Sequence, residues 1–247
     1  MSFNILILGA TSAIAQAVGR RYAREGASFF LVARDEAKLA MVASDLRGRG
    51  ATRVETLCMD ALDYAAMDRM CAAAWVALPP IDVALIAHGT LSDQGRAEQD
   101  LDYAIREFRA NGESAIAAMT LMANRFEGQG HGVIAVIGSV AGDRGRGSNY
   151  LYGAAKSAVH AFASGLRARM FKAGVHVLTI KPGFVATPMT AHLDLPAKLT
   201  AQPERVAEDI ARAIARKRDV CYTPGFWALI MLVIKLLPTA IFKRSKL

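Results

Sequence analysis

At 247 residues, 53% hydrophobic and 21% charged, the chain can bury the core of one large α/β domain. Its formal charge of +8 comes from basic residues spread along the sequence, clustered only around 205–218 and at the C-terminus. That pattern argues against a nucleic-acid face and for a surface that attracts phosphorylated ligands or anionic lipid. Cys58, Cys71 and Cys221 lie far apart without a C-x-x-C pair, and the five histidines form no H-x-x-x-H or H-E-x-x-H pattern, so spacing argues against a disulfide framework and a metal site and fits a reducing compartment.

The opening "MSFNILILG" lacks a basic leader, so "NILIL" reads as a first buried strand rather than a signal segment. A helix is predicted from Ser12 to Glu25, stopped by Gly26, which tolerates a left-handed cap. "SFFLVA" follows as a second strand, ahead of a charged helical segment from about Asp35 to Arg47. "RVETLCM", "DVALIA", "GVIAVIG" and "VHVLTI" are four further strands, with a long helical segment around "EFRANGESAI" between the second and third of them. Unbroken rather than alternating apolar runs mark strands covered on both faces, hence a parallel sheet with crossover helices. The expected fold is a doubly wound, Rossmann-type α/β domain over residues 1–225, followed by an apolar and basic tail over 226–247.

The turn after the first strand, "GATSAIA", stands where a dinucleotide-binding loop would carry three glycines. Gly9 serves the tight turn, Ala15 can stand in for a packing glycine, and Ala13 places a methyl toward the phosphates. Thr11 and Ser12 offer hydroxyls to cap the helix, leaving the N–H groups of its start, Ile14 among them, facing an anion. Alone, this turn reads equally well as a cofactor site or as an ordinary strand-to-helix turn.

Three later stretches bear on the choice. In "VIGSVAGDRGRGSNYLYGAAK", Tyr152 and Lys156 are four apart on a helix and share a face, while Ser139 stands at the C-terminal end of a buried strand, where open α/β sheets bind ligands. "KPGFVATPM" follows another strand, and Asn111 lies in the long helical segment. Together these resemble the short-chain dehydrogenase/reductase family over roughly residues 4–223. The resemblance implies a catalytic set of Asn111, Ser139, Tyr152 and Lys156. It places Gly9, Ala13 and Ala15 on the glycine motif and Asp60, with Ala61, near the adenine. Pro182, Gly183, Val185 and Thr187 fall beside the nicotinamide. Ala87, His88 and Gly89 fall where the family carries Asn-Ala-Gly; this and the alanines are the departures.

Such a site interconverts a ketone and an alcohol. Tyr152 would pass the proton, its pKa of about 10 drawn down by the Lys156 ammonium. Ser139 would hydrogen-bond the carbonyl oxygen. The family's further roles are Lys156 on the nicotinamide ribose and Asn111 holding a relay water. Arg34 ends the second strand, where a guanidinium can embrace a 2′-phosphate, so NADP(H) is favoured and NAD(H) is the alternative; Asp35 beside it reads as a helix-starting acid.

Arg144 and Arg146, on the glycine-rich loop before Tyr152, are either solvated charges or a clamp for a substrate phosphate. The segment from Phe226 to Ile234 is apolar all round yet shorter than the roughly 20 residues a membrane span needs. It must be buried in a homo-oligomer interface or laid into lipid beside the basic Lys243, Arg244 and Lys246. With "IAHGTL" and the arginine loop, the tail resembles the branch of the family that reduces decaprenylphosphoryl-2-keto-erythro-pentose. That implies a lipid-linked substrate and a cytoplasmic protein at the inner face of the membrane. The alternatives are a soluble reductase of 3-oxoacyl or small ketone substrates, or a cofactor-sensing scaffold without catalysis.

Overall fold

A computed structural model describes residues 3–244; Lys246 of the basic tail lies outside them. Seven parallel strands form the main sheet in the order β3-β2-β1-β4-β5-β6-β9. They are β1 (Asn4–Leu8), β2 (Ser28–Ala33), β3 (Arg53–Cys58), β4 (Val83–Ile86), β5 (Gly132–Ile137), β6 (Val175–Pro182) and β9 (Val220–Thr223), the last absent from the sequence reading. β7 (Phe184–Val185) and β8 (Thr200–Ala201) pair separately. The crossovers run through α1 (Ala13–Ala23), α2 (Glu36–Gly48), α3 (Tyr64–Ala77), α4 (Gln94–Gln99), α5 (Leu101–Phe108), α6 (Ser114–Gln129), α7 (Tyr150–Lys172) and α8 (Pro203–Ala215).

The sheet divides the core into two apolar layers. One packs Ile5, Ile7, Phe29 and Leu31 against α1, α2 and α8. The other packs Leu6, Leu8, Val32 and Ile134 against α3, α6 and α7. Burial on both faces is what the unbroken apolar runs require. The order of strands reverses between β1 and β4, which opens a crevice at their C-terminal ends.

The tail forms α9 (Trp227–Leu236) and α10 (Thr239–Phe242). Neither alternative for an all-apolar helix holds throughout. Trp227, Met231 and Ile234 pack on Val140, Phe184 and Tyr222, whereas Leu229, Leu232, Val233 and Leu236 face outward. None of the described helices is long and apolar enough to cross a membrane.

Candidate active site

The crevice at the sheet's switch point is a cleft of about 490 Å³. Gly9 closes β1 with φ +88°, and a Cβ there would lie 2.4 Å from the His88 main-chain nitrogen, so only glycine fits between the two strand ends. Thr11, Ser12, Ala13 and Ile14 line the floor, while Ala15 is buried in the core behind them. Ser12 is the N-cap of α1 but makes no side-chain cap bond, contrary to the capping expected of it. The first-turn N–H groups are thus left for an anion, which the helix dipole also favours.

At one end lie Arg34, Asp60 and Ala61. Asp35 is the N-cap of α2, accepting from Lys38 N at 3.0 Å and pairing with the Lys38 ammonium, while Arg34 has no side-chain partner among the described residues. Ala87, His88 and Gly89 form the wall beyond β4. His88 Nε2 lies 2.9 Å from Ser114 Oγ, whose own hydrogen goes to the Ala110 carbonyl; Nε2 therefore donates, and Nδ1 is left a buried acceptor without a partner among the described residues. Burial pulls the imidazole's pKa down to about 3, aided by the charge of Lys156, so it is neutral.

At the other end α7 presents Tyr152 and Lys156 one turn apart. Lys156 Nζ lies 5.7 Å from the Tyr152 ring centre and donates to the Ile137 carbonyl at 3.1 Å. Ser139 Oγ accepts from Ala141 N at 3.1 Å, and its hydroxyl stands close enough to the Tyr152 phenol to influence its pKa. Asn111 does not sit in a regular helix. A π-helical turn, Arg109–Glu113, separates α5 from α6 and turns its amide onto the wall. Its Oδ1 accepts from Thr90 N at 2.9 Å, and Nδ2 donates to Thr90 Oγ1 at 3.0 Å and to the Glu107 carbonyl at 3.1 Å. Pro182, Gly183, Val185 and Thr187 complete the rim.

The electrostatics correct one expectation. Burial pushes the Tyr152 phenol up to about 12, against a smaller lowering by the Ser139 hydrogen bond, and pulls Lys156 down to about 8. Desolvation outweighs the attraction of an ammonium that is turned toward a carbonyl instead of the phenol.

A family model described as short chain dehydrogenase matches residues 4–197. The chain belongs to the short-chain dehydrogenase family. It is 38% identical over 242 residues to an uncharacterized oxidoreductase of Mycobacterium tuberculosis, covering 97% of this chain and 96% of that protein. Among solved structures it resembles a short-chain dehydrogenase/reductase from Mycobacterium ulcerans (TM-score 0.81, 21% identity, covering 96% and 98% of the two chains). It also resembles a short-chain dehydrogenase from Sphingobium yanoikuyae in complex with NADPH (TM-score 0.81, 24% identity, covering 96% and 97%). Membership makes this short-chain dehydrogenase an NAD(P)-dependent oxidoreductase.

The two loop arginines part company. Arg146 lines the cleft; its Nε is buried without a partner among the described residues, and burial lowers its pKa. Arg144, expected at the substrate mouth, points away. Its Nη1 donates to the carbonyls of Ile234, Lys235 and Leu237 at the end of α9, and its guanidinium lies 3.8 Å over the Phe242 ring. A cation is the natural cap for a helix C-terminus, and that position is better supplied with acceptors than the loop. The sequence reading missed Asn149, whose Oδ1 is also buried in the cleft with no partner among the described residues. It also missed the apolar wall of Phe184, Met189 and Leu193; only the large apolar residues after Thr187 hinted at that wall.

Proposed function

We propose that the protein is an NADP(H)-dependent reductase interconverting a ketone and a secondary alcohol, with the carbonyl bound at Ser139 and Tyr152. The observation that carries this is the convergence of Tyr152, Lys156 and Ser139 on a cleft whose other end holds an uncapped helix N-terminus. The donor set fits the cofactor. Gly9 and Thr11–Ile14 would hold the pyrophosphate, the unpaired Arg34 a 2′-phosphate, and Asp60 and Ala61 the adenine. Ala87, His88 and Gly89 would line the ribose region, and Lys156 with Tyr152 the nicotinamide ribose. Pro182, Gly183, Val185 and Thr187 would flank the ring. Bound there, the cofactor supplies the hydride exchanged with the carbonyl carbon.

The protein's own part is the proton and the developing charge. A phenol with a pKa near 12 is fully protonated at neutral pH, so Tyr152 is ready to donate to an alkoxide. Lys156, still largely charged at pH 7, stabilises the phenolate left behind. Ser139 hydrogen-bonds the oxygen as its charge grows. Asn111 spends both amide hydrogens on Thr90 and Glu107, so it holds the wall at Gly89 and Thr90.

For the substrate, the proposal extends to a polyprenyl-phosphate-linked keto-sugar. Arg146 and Asn149 offer a buried, unmatched donor and acceptor in the same cleft as Tyr152, and Phe184, Met189 and Leu193 line it with apolar surface. α9 turns Leu229 and Leu236 outward beside Lys235, with Lys243 and Arg244 close behind in the chain, a composition suited to an anionic membrane. NADPH consumption, measured on a lipid extract and on a panel of 3-oxoacyl and small ketones, tests both levels. Turnover confined to the extract supports the lipid-linked substrate. Turnover of soluble ketones alone removes it, and no turnover of either revives a non-catalytic sensor.

A further inference from the structure

Behind the cleft wall lies a polar cluster of His160, Asp143, Lys181 and Tyr222, none of which lines the cleft. His160 follows Lys156 by one turn of α7, and its ring sits in a slot on either side of Ser139. A Cβ at Gly138 would lie 2.3 Å from its Nε2, and one at Gly142 would lie 2.7 Å from its Cε1. Nε2 is 3.4 Å from the Ser139 main-chain nitrogen, and Nδ1 is 3.5 Å from Asp143 Oδ1. An amide N–H can only donate, so Nε2 accepts and the ring proton sits on Nδ1, toward the carboxylate. Asp143 is held in turn by Lys181 Nζ at 2.5 Å and by the Tyr222 hydroxyl at 2.6 Å. The network thus ties the Ser139 turn to α7, β6 and β9. Its carboxylate is almost wholly buried, which is tolerable only because each oxygen is matched.

We infer that His160, oriented by Asp143, is a positioning residue that sets the Ser139 hydroxyl against the carbonyl oxygen. The inference rests on the reading of Ser139 given above. The imidazole fills the space that fixes the backbone on both sides of Ser139 and receives its N–H. Losing the ring frees the turn to move the hydroxyl, and displacements of about an ångström cost large factors in rate. Glutamine at this position can carry an amide oxygen to where Nε2 stands and so keep an acceptor for the Ser139 N–H.

A double-mutant cycle tests this, with reduction of a soluble model ketone followed by NADPH oxidation and cofactor affinity measured separately by fluorescence. His160→Leu is expected to lower kcat at least tenfold with NADPH affinity within twofold of wild type, and His160→Gln to recover most of the loss. In a Ser139→Ala background, His160→Leu is expected to cost less than a further twofold. An equal loss in both backgrounds, or no loss in either, overturns the inference while leaving the role of Ser139 intact. A wild-type protein without reductase activity, or full activity in Ser139→Ala, overturns the reading of the site and the inference with it. Should His160→Leu fail to fold, Tyr222→Phe takes its place; it is expected to lower kcat severalfold with Ser139 present and not at all with Ser139→Ala.

Discussion

Replacing Lys156 with methionine should make the cofactor-free protein more stable at neutral pH, and this advantage should vanish in alkali. Lys156 is buried, and its pKa falls from 10.5 to about 8 on folding. Below pH 8 the ammonium is charged in both states, and its burial opposes folding. Between pH 8 and 10.5 the unfolded chain binds more protons, so stability rises with pH; above 10.5 the penalty is gone. At about 1.4 kcal/mol per pKa unit, this single group adds about 2.5 kcal/mol to wild-type stability between pH 7 and pH 10. The methionine side chain does not titrate and would add nothing over that range. Removing the lysine also leaves the Ile137 carbonyl unpaired, at a cost of about 1–2 kcal/mol that does not vary with pH. The variant should therefore lead modestly at pH 7 and trail at pH 10. In a domain of this size 1 kcal/mol moves Tm by about 2–4 °C, so the gap between the two should shift by roughly 5–10 °C. Thermal melts of both proteins from pH 7 to pH 10, without cofactor, make the measurement. A Tm difference that stays constant across that range refutes the claim that Lys156 is depressed by burial.

Tyr152→Phe should lower kcat at least a hundredfold, about 2.7 kcal/mol of barrier, with NADPH affinity retained; a smaller loss in steady-state kinetics assigns the proton to another group. Arg34→Asp should erase or reverse a preference for NADPH over NADH in kcat/KM, and equal efficiency with both cofactors in the unmutated protein defeats the assignment. Leu229→Ser with Leu236→Ser should release the protein from anionic liposomes at low salt and spare ketone reduction, since neither side chain packs against the cleft wall. Wild-type protein that stays in the supernatant ends the membrane reading, and a change of assembly size in the double variant, read by light scattering, favours a subunit interface. Deletion after Gly225 is expected to impair catalysis as well, because Trp227 supports Gly183 and Phe184.

Five strands of the main sheet were legible as largely apolar runs next to a helix, and a sixth, β3, as the alternating "RVETLC" of an edge strand. β9 was not: "VCYT" is four residues long, begins with an exposed Val220 and follows a strongly charged stretch. The motif residues could be placed from the chain alone, since strand ends and helix turns fix where Ser139, Tyr152 and Lys156 emerge. What decides Arg144 against Arg146 is a set of carbonyls some ninety residues away, invisible in a loop where both arginines have glycine neighbours. The π-helical turn at Asn111 depends on Thr90, twenty-one residues earlier, and a periodicity argument has no access to that contact. The direction of the Tyr152 shift escapes the sequence because spacing reports proximity to Lys156 and says nothing of how much water burial removes.

The contact between Trp227 and Gly183 has a consequence for how the sequence can change over evolutionary time. A methyl group added at position 183 would lie 1.9 Å from the indole nitrogen, so no side chain larger than hydrogen is compatible with Trp227 where it now sits. Substitution at 183 therefore requires a smaller residue at 227 first, and the reverse order passes through a chain whose rim is displaced. Homologues that keep tryptophan at 227 should be invariant at 183, whereas those that have lost it should drift there. Variation at this rim of the cleft is thus governed from a helix that follows every strand of the sheet.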